Sequence, residues 1–101
     1  MGLAASVATY TVDQENADAL RDAVEQHIVP AARRIDGYRG FLLLDQGDGK
    51  RLALILFDSV DGVQAAQSKL SPLGAEHTYA LMSGPAIGSI GKALIADGQF
   101  A

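Results

Sequence analysis

Two runs of the chain are apolar at every position: Phe41-Leu42-Leu43-Leu44 and, a few residues on, Leu52-Ala53-Leu54-Ile55-Leu56-Phe57. Short apolar runs bounded by turn residues read as strands, whose successive side chains point to opposite faces. A monomeric sheet with one solvated face should alternate apolar and polar residues, and these runs do not. With 101 residues the chain has room for one core and is too short for two, so residues 1–101 read as a single domain. Its helices can cover one face of the sheet, and something further must cover the other.

The rest of the chain supplies the remaining elements. Tyr38 to Asp45 and Arg51 to Phe57 are joined by Gln46-Gly47-Asp48-Gly49-Lys50, a connection rich in turn formers, and form a β-hairpin. Ala5 to Val12, with β-branched, aromatic and small residues, reads as the first strand. From Ala17 the apolar residues Ala17, Leu20, Val24, Ile28, Ala31 and Ile35 wind into one helical stripe about 100° wide, with Arg21, Asp22, Glu25 and Asp36 opposite. Pro30 removes the bond its N–H would give to Gln26, which predicts one bent helix, and Gly37 supplies a left-handed residue to end it. Ser59 caps a second helix carrying Val63, Ala66 and Leu70, which Pro72 is expected to interrupt. A further helical piece is expected over Leu73 to Met82, ending at Ser83-Gly84-Pro85, and a last strand over Ser89 to Ala96.

The order strand, helix, strand, strand, helix, strand is the split β-α-β arrangement, an α+β, ferredoxin-like fold whose four-stranded antiparallel sheet carries both helices on one face. The second, bare face would exceed the apolar patch that soluble monomers tolerate. A homodimer built sheet against sheet is therefore expected, burying roughly 800 Å² per partner.

Composition narrows the partners. The net charge is -4 and no basic cluster exceeds Arg33-Arg34, so the footprint needed for nucleic acid is missing. Cysteine is absent, which removes disulfides, thiolate metal sites and cysteine nucleophiles and fits a reducing compartment. The opening residues lack a basic signal region and the longest aliphatic run falls far short of a bilayer span, so a cytoplasmic protein without a membrane partner is expected.

The stretches HIVPAARRIDGYRGFLLL, LFDSVDGVQAA and HTYALMSGP resemble the antibiotic biosynthesis monooxygenase-like family of the dimeric α/β-barrel superfamily. The resemblance spans most of the chain; its specific parts are Pro30 in the first helix, the entry Gly37-Tyr38-Arg39-Gly40-Phe41 into the second strand and the exit Phe57-Asp58-Ser59 from the third. It implies ferredoxin-like protomers whose sheets pair into a dimeric barrel, each with a ligand cleft between helices and sheet. It also implies either cofactor-independent oxidation of polyphenols or quinols, or binding and degradation of haem. The haem-degrading relatives carry an asparagine on the first strand, a tryptophan on the second helix and a histidine ligand. Here only His77 matches, the chain having no tryptophan and a single asparagine at Asn16, which argues against haem degradation.

Six polar residues are candidates to reach a cleft: Tyr10, His27, Arg34, Tyr38, His77 and Tyr79. His77, an imidazole in a weakly amphipathic segment, is the candidate catalytic base. Tyr10, His27, Arg34, Tyr38 and Tyr79 are candidate ligand contacts, each with an ordinary structural alternative: a half-buried imidazole for His27, half-buried phenols for the tyrosines. The two histidines lie fifty positions apart without cysteine partners, so no metal-ligand motif is present and no cofactor is expected. Gly84, Gly88 and Gly91 do not follow a strand and open a helix, which removes a nucleotide loop, and no nucleophile elbow is present. Two functions follow, with a small aromatic molecule as the partner of each. One is a cofactor-independent monooxygenase acting on an aromatic, polyphenolic or quinol substrate; the other is a non-enzymatic dimeric binding module using the same cleft. A third possibility is a fold that serves dimerisation or protein interaction alone, its cleft filled by its own side chains.

Overall fold

A computed structural model describes residues 2–98. Strand β1 (Ala4–Thr11) is followed by a continuous helix over residues 14–33, then by β2 (Tyr38–Gly47) and β3 (Lys50–Phe57). The first helix consists of α1 (Gln14–Ala23), a wide π turn (Val24–Ile28) and α2 (Val29–Arg33). Helix α3 (Val60–His77), a single 3-10 turn (Tyr79–Leu81) and strand β4 (Ile87–Lys92) complete the order. The four strands form one antiparallel sheet in the order β2-β3-β1-β4, so the expected α+β, ferredoxin-like arrangement is the one observed.

The first helix carries a wide turn placed ahead of its proline. Pro30 cannot donate a hydrogen bond, and its ring crowds the carbonyl of Gln26; the turn at residues 24–28 opens instead, with the Val29 N–H donating back to the Val24 carbonyl. The buried residues Leu20, Val24, Ile28 and Ala32 are spaced by four. In a regular helix each such step would overshoot a full turn by about 40° and carry the last residue off the core. The wide turn absorbs that drift and keeps all four facing the sheet. Gly37, with φ +88°, closes the segment as expected, and an added Cβ there would collide with the Asp58 carboxylate.

Two expectations for the second half are corrected. Pro72 does not interrupt α3, which runs through it for 18 residues, capped at its start by the Ser59 hydroxyl accepting from the Gly62 N–H at 3.0 Å. Val63, Ala66, Leu70 and Gly74 are buried against the sheet, and this packing holds the helix together across the missing bond. The piece expected over Leu73 to Met82 is therefore the end of α3 plus one 3-10 turn. Strand β4 lies earlier than Ser89 to Ala96 because its pairing is dictated by β1: Thr9 faces Ile87 and Ala4 faces Lys92, and the ladder ends one step on, with the Ala93 N–H donating to the Leu3 carbonyl at 2.8 Å. Leu94 and Ile95 lie past the strand, 96% and 90% exposed.

One face of the sheet is sealed by the helices. Ala4, Phe57, Val63, Ala66 and Leu70 form one core cluster, and Tyr10, Leu20, Val24 and Ile28 form a second with Phe41, Leu43 and Ala53. The opposite face carries Val7, Leu42, Leu44, Leu52, Leu54, Leu56 and Ile87, aligned across the strands by the pairs Leu42↔Leu54, Val7↔Leu54, Leu44↔Leu52 and Thr9↔Ile87. Leu42, Leu44 and Ile87 are 53%, 45% and 73% exposed there. No helix among the described residues is long and apolar enough to cross a membrane.

Candidate functional site

Between the helices and the covered face of the sheet lies a cavity of about 260 Å³. It exists because the residues meeting there are small: Ser6 and Ala8 on β1, Ala53 on β3, Ala66 and Gly74 on α3, and Gly88 on β4. Strand alternation brings Ser6, Ala8 and Tyr10 to the same side, and α3 lays Val63, Ala66, Leu70 and Gly74 over them. Ile28, Phe41, Ile55, Phe57 and Met82 complete an apolar wall. Two hydrophobic clusters flank this space without filling it.

The polar groups on the lining are uncharged. The Gln67 amide on α3 donates to the Ser6 hydroxyl on β1 at 3.4 Å, a long bond that bridges helix and sheet at the cavity. The buried Thr78 hydroxyl donates to the Gly74 carbonyl at 2.8 Å, and the Thr78 N–H reaches the same carbonyl at 2.9 Å, which ends α3. Burial pushes the Tyr10 phenol above its ordinary pKa of 10.0, Arg51 opposing this in smaller measure, so the phenol stays a protonated donor. Ser71 and Tyr79 supply further hydroxyls. Tyr79 rests on Gly74, whose added Cβ would come within 3.0 Å of the ring. Among the described residues no aspartate, glutamate, lysine, arginine or histidine lines the cavity.

Of the six candidates named from sequence, Tyr10 and Tyr79 line this cavity. His77 lies on the last turn of α3, next to the lining residue Thr78, with its own ring outside the lining. That ring stacks on His27, with centroids 3.7 Å apart and planes 5° from parallel, and its Nε2 lies 3.6 Å from the Glu76 carboxylate. The structure thus joins two histidines fifty positions apart, a pairing with no local signal in the sequence. Among the described residues no group of three or more histidines and carboxylates is placed to hold a metal ion. Arg34 caps the end of α2, exposed, where its charge suits the negative helix end. Tyr38 opens β2 and packs edge-on at 6.0 Å against the lining residue Phe57, without lining the cavity itself.

Ser6, Gln67, Ser71 and Thr78 were not legible as lining residues from types alone. A signal existed: Ser6 shares the parity of Tyr10 on its strand, and Gln67 and Ser71 flank the α3 stripe at positions four apart. Polar residues bordering an apolar stripe are the places to look for a ligand's hydrogen-bond partners.

No protein-family model matches the chain, and no curated protein sequence matches it. Solved structures do. Rv0793 from Mycobacterium tuberculosis superposes with a TM-score of 0.76 at 19% identity, over 95% of this chain and 99% of that one. A Nitrosomonas europaea protein provisionally named an antibiotic biosynthesis monooxygenase gives 0.79 at 16% identity, covering 97% of each chain. A mutant of SnoaB, a cofactor-independent oxygenase from Streptomyces nogalater, gives 0.75 at 16% identity, over 93% of this chain and 95% of that one. The resemblance read from the sequence therefore holds at the level of the fold, along almost the whole chain.

Proposed function

We propose that this chain binds a small, uncharged aromatic molecule bearing hydroxyl or carbonyl groups in the helix–sheet cavity, and oxidises it as a cofactor-independent monooxygenase. The observation that carries the reading is the lining itself, a half-open apolar cleft whose polar groups are all neutral. Burying a charge there without a partner would be strongly unfavourable, whereas a flat ring with a few oxygens meets both the walls and the hydroxyls. The likeness of fold to a cofactor-independent oxygenase supports the reaction class.

In such chemistry the substrate supplies the electrons. A ring CH2 of a reduced polyphenol, once deprotonated, gives electrons to dioxygen; the carbon becomes a carbonyl and the second oxygen atom leaves as water. The protein's part is to orient the ring, exclude water and accept one proton. His77 takes the base role in this proposal. Its ring must leave the stack with His27 and turn past Thr78 to reach a bound molecule, so His77→Ala should sharply reduce turnover while leaving ligand binding in place.

A second reading is capture without turnover. The lining favours it, because neither a carboxylate nor an imidazole faces the cavity and the Tyr10 phenol is held protonated. Oxygen uptake against a panel of reduced quinones and polyphenols, run beside a thermal-shift assay, separates the two. Turnover well above protein-free autoxidation supports the oxygenase; stabilisation without oxygen uptake supports the binding module; neither response removes both readings. In either case the working unit is a homodimer closed through the open apolar face, and the lack of cysteine fits a cytoplasmic setting.

A further inference from the structure

The cavity does not end at solid protein. On the side of the 3-10 turn it is bounded by Tyr79, Met82 and Ala86, and the same three residues line a surface depression of about 540 Å³ together with Ser83, Gly84 and Pro85. These three side chains thus stand between an inner chamber, itself open to solvent where Gln67, Ser71 and Gly88 are exposed, and an outer one. Tyr79 is the largest member of that layer, is 50% exposed, and sits on a turn only three residues long.

The position of its ring is built into the helix beneath it. Gly74 lacks the Cβ that would come within 3.0–3.2 Å of the ring's edge and hydroxyl, so the ring lies directly on the backbone of α3. The segment after the turn is pinned as well, the Ser83 hydroxyl and N–H donating to the Thr11 hydroxyl and carbonyl at 2.8 and 2.9 Å. A bulky ring held between fixed supports acts as a wall.

Resting on the cavity reading given above, we infer that Tyr79 is a specificity-determining residue: its ring sets the length of the aromatic molecule the inner chamber accepts. Molecules of two fused rings fit behind it. A third ring extending toward the 3-10 turn needs the space the Tyr79 ring occupies, and shortening this side chain joins the two chambers. The effect belongs to the ring's bulk and not to its hydroxyl.

The test measures dissociation constants of a dihydroxynaphthoquinone and a dihydroxyanthraquinone for the full chain and three variants. The unaltered protein should prefer the two-ring probe by about tenfold or more, in the range that shape exclusion by an apolar pocket delivers. Tyr79→Ala should remove that preference by tightening the three-ring probe, and Tyr79→Phe should keep it. A preference that survives Tyr79→Ala, one already absent in the unaltered protein, or a Tyr79→Phe that behaves like Tyr79→Ala, overturns the inference. Gly88→Leu controls for the site itself: its Cβ would meet nothing nearer than the Val7 carbonyl at 3.8 Å, and the longer side chain enters the cavity from β4. Loss of binding of a probe in Gly88→Leu places that probe in the cavity. Undiminished binding in that variant, or no binding of either probe to the unaltered protein, removes the cavity reading and this inference with it.

Discussion

At the scale of single residues, the two tyrosines that line the cavity differ in what holds them. Tyr10 is buried and its phenol is driven toward the neutral form, so its folded pKa lies above the unfolded value of 10.0. Its contribution is fully present below pH 10 and is lost as the pH rises through the raised value, because the unfolded chain releases the proton first. Tyr10→Phe should therefore show a shallower alkaline loss of stability than the unaltered protein in denaturant titrations at successive pH values; identical slopes would refute this. Gly37 gives a second measurable case. Its φ of +88° disfavours any side chain, and Gly37→Ala should cost about 1–2 kcal/mol in the same titration. The site was half legible at this scale. Tyrosines at strand and helix ends stand out by type, whereas Ser6 and Thr78 are common residues whose meaning comes only from what faces them across the cavity. The pairing of His27 with His77 depends on how α3 crosses the first helix, which no local pattern encodes.

Among the elements, strands and the first helix were readable because each carries its own periodicity. The errors share one cause, that neighbours overrule local preference. Pro72 looks like a helix stop, yet Leu70 and Gly74 on either side of it are buried, and their packing carries α3 through. Leu94 and Ile95 look like strand, yet the ladder with β1 closes at Ala93 and leaves both exposed beyond it. Pro72 itself is exposed and α3 lacks one backbone bond there. Pro72→Ala restores the donor to the Ser68 carbonyl, and it should stabilise the protein by about 1–3 kcal/mol, read as a higher denaturation midpoint at unchanged slope. A lower midpoint would mean that the ring does more than break a bond.

For the whole molecule the decisive feature is the sheet with two apolar faces, foreseen from the non-alternating strands and now seen with Leu42, Leu44 and Ile87 standing open. Pairing through this face predicts a dimer in sedimentation at micromolar concentration, and Leu42→Lys should yield a folded monomer, since a charge facing its symmetry mate across an apolar interface is strongly unfavourable. A monomeric unaltered protein would leave the face without a partner and remove this reading. The wide turn at residues 24–28 has a genealogical meaning as well. A chain lacking Gln26 and carrying Pro30→Ala would keep Leu20, Val24, Ile28 and Ala32 inward on a regular helix, because their spacing would become four, three and four. The turn is thus the place where one codon can be gained or lost with the core left as it is, and where related chains of unequal length should be brought back into register.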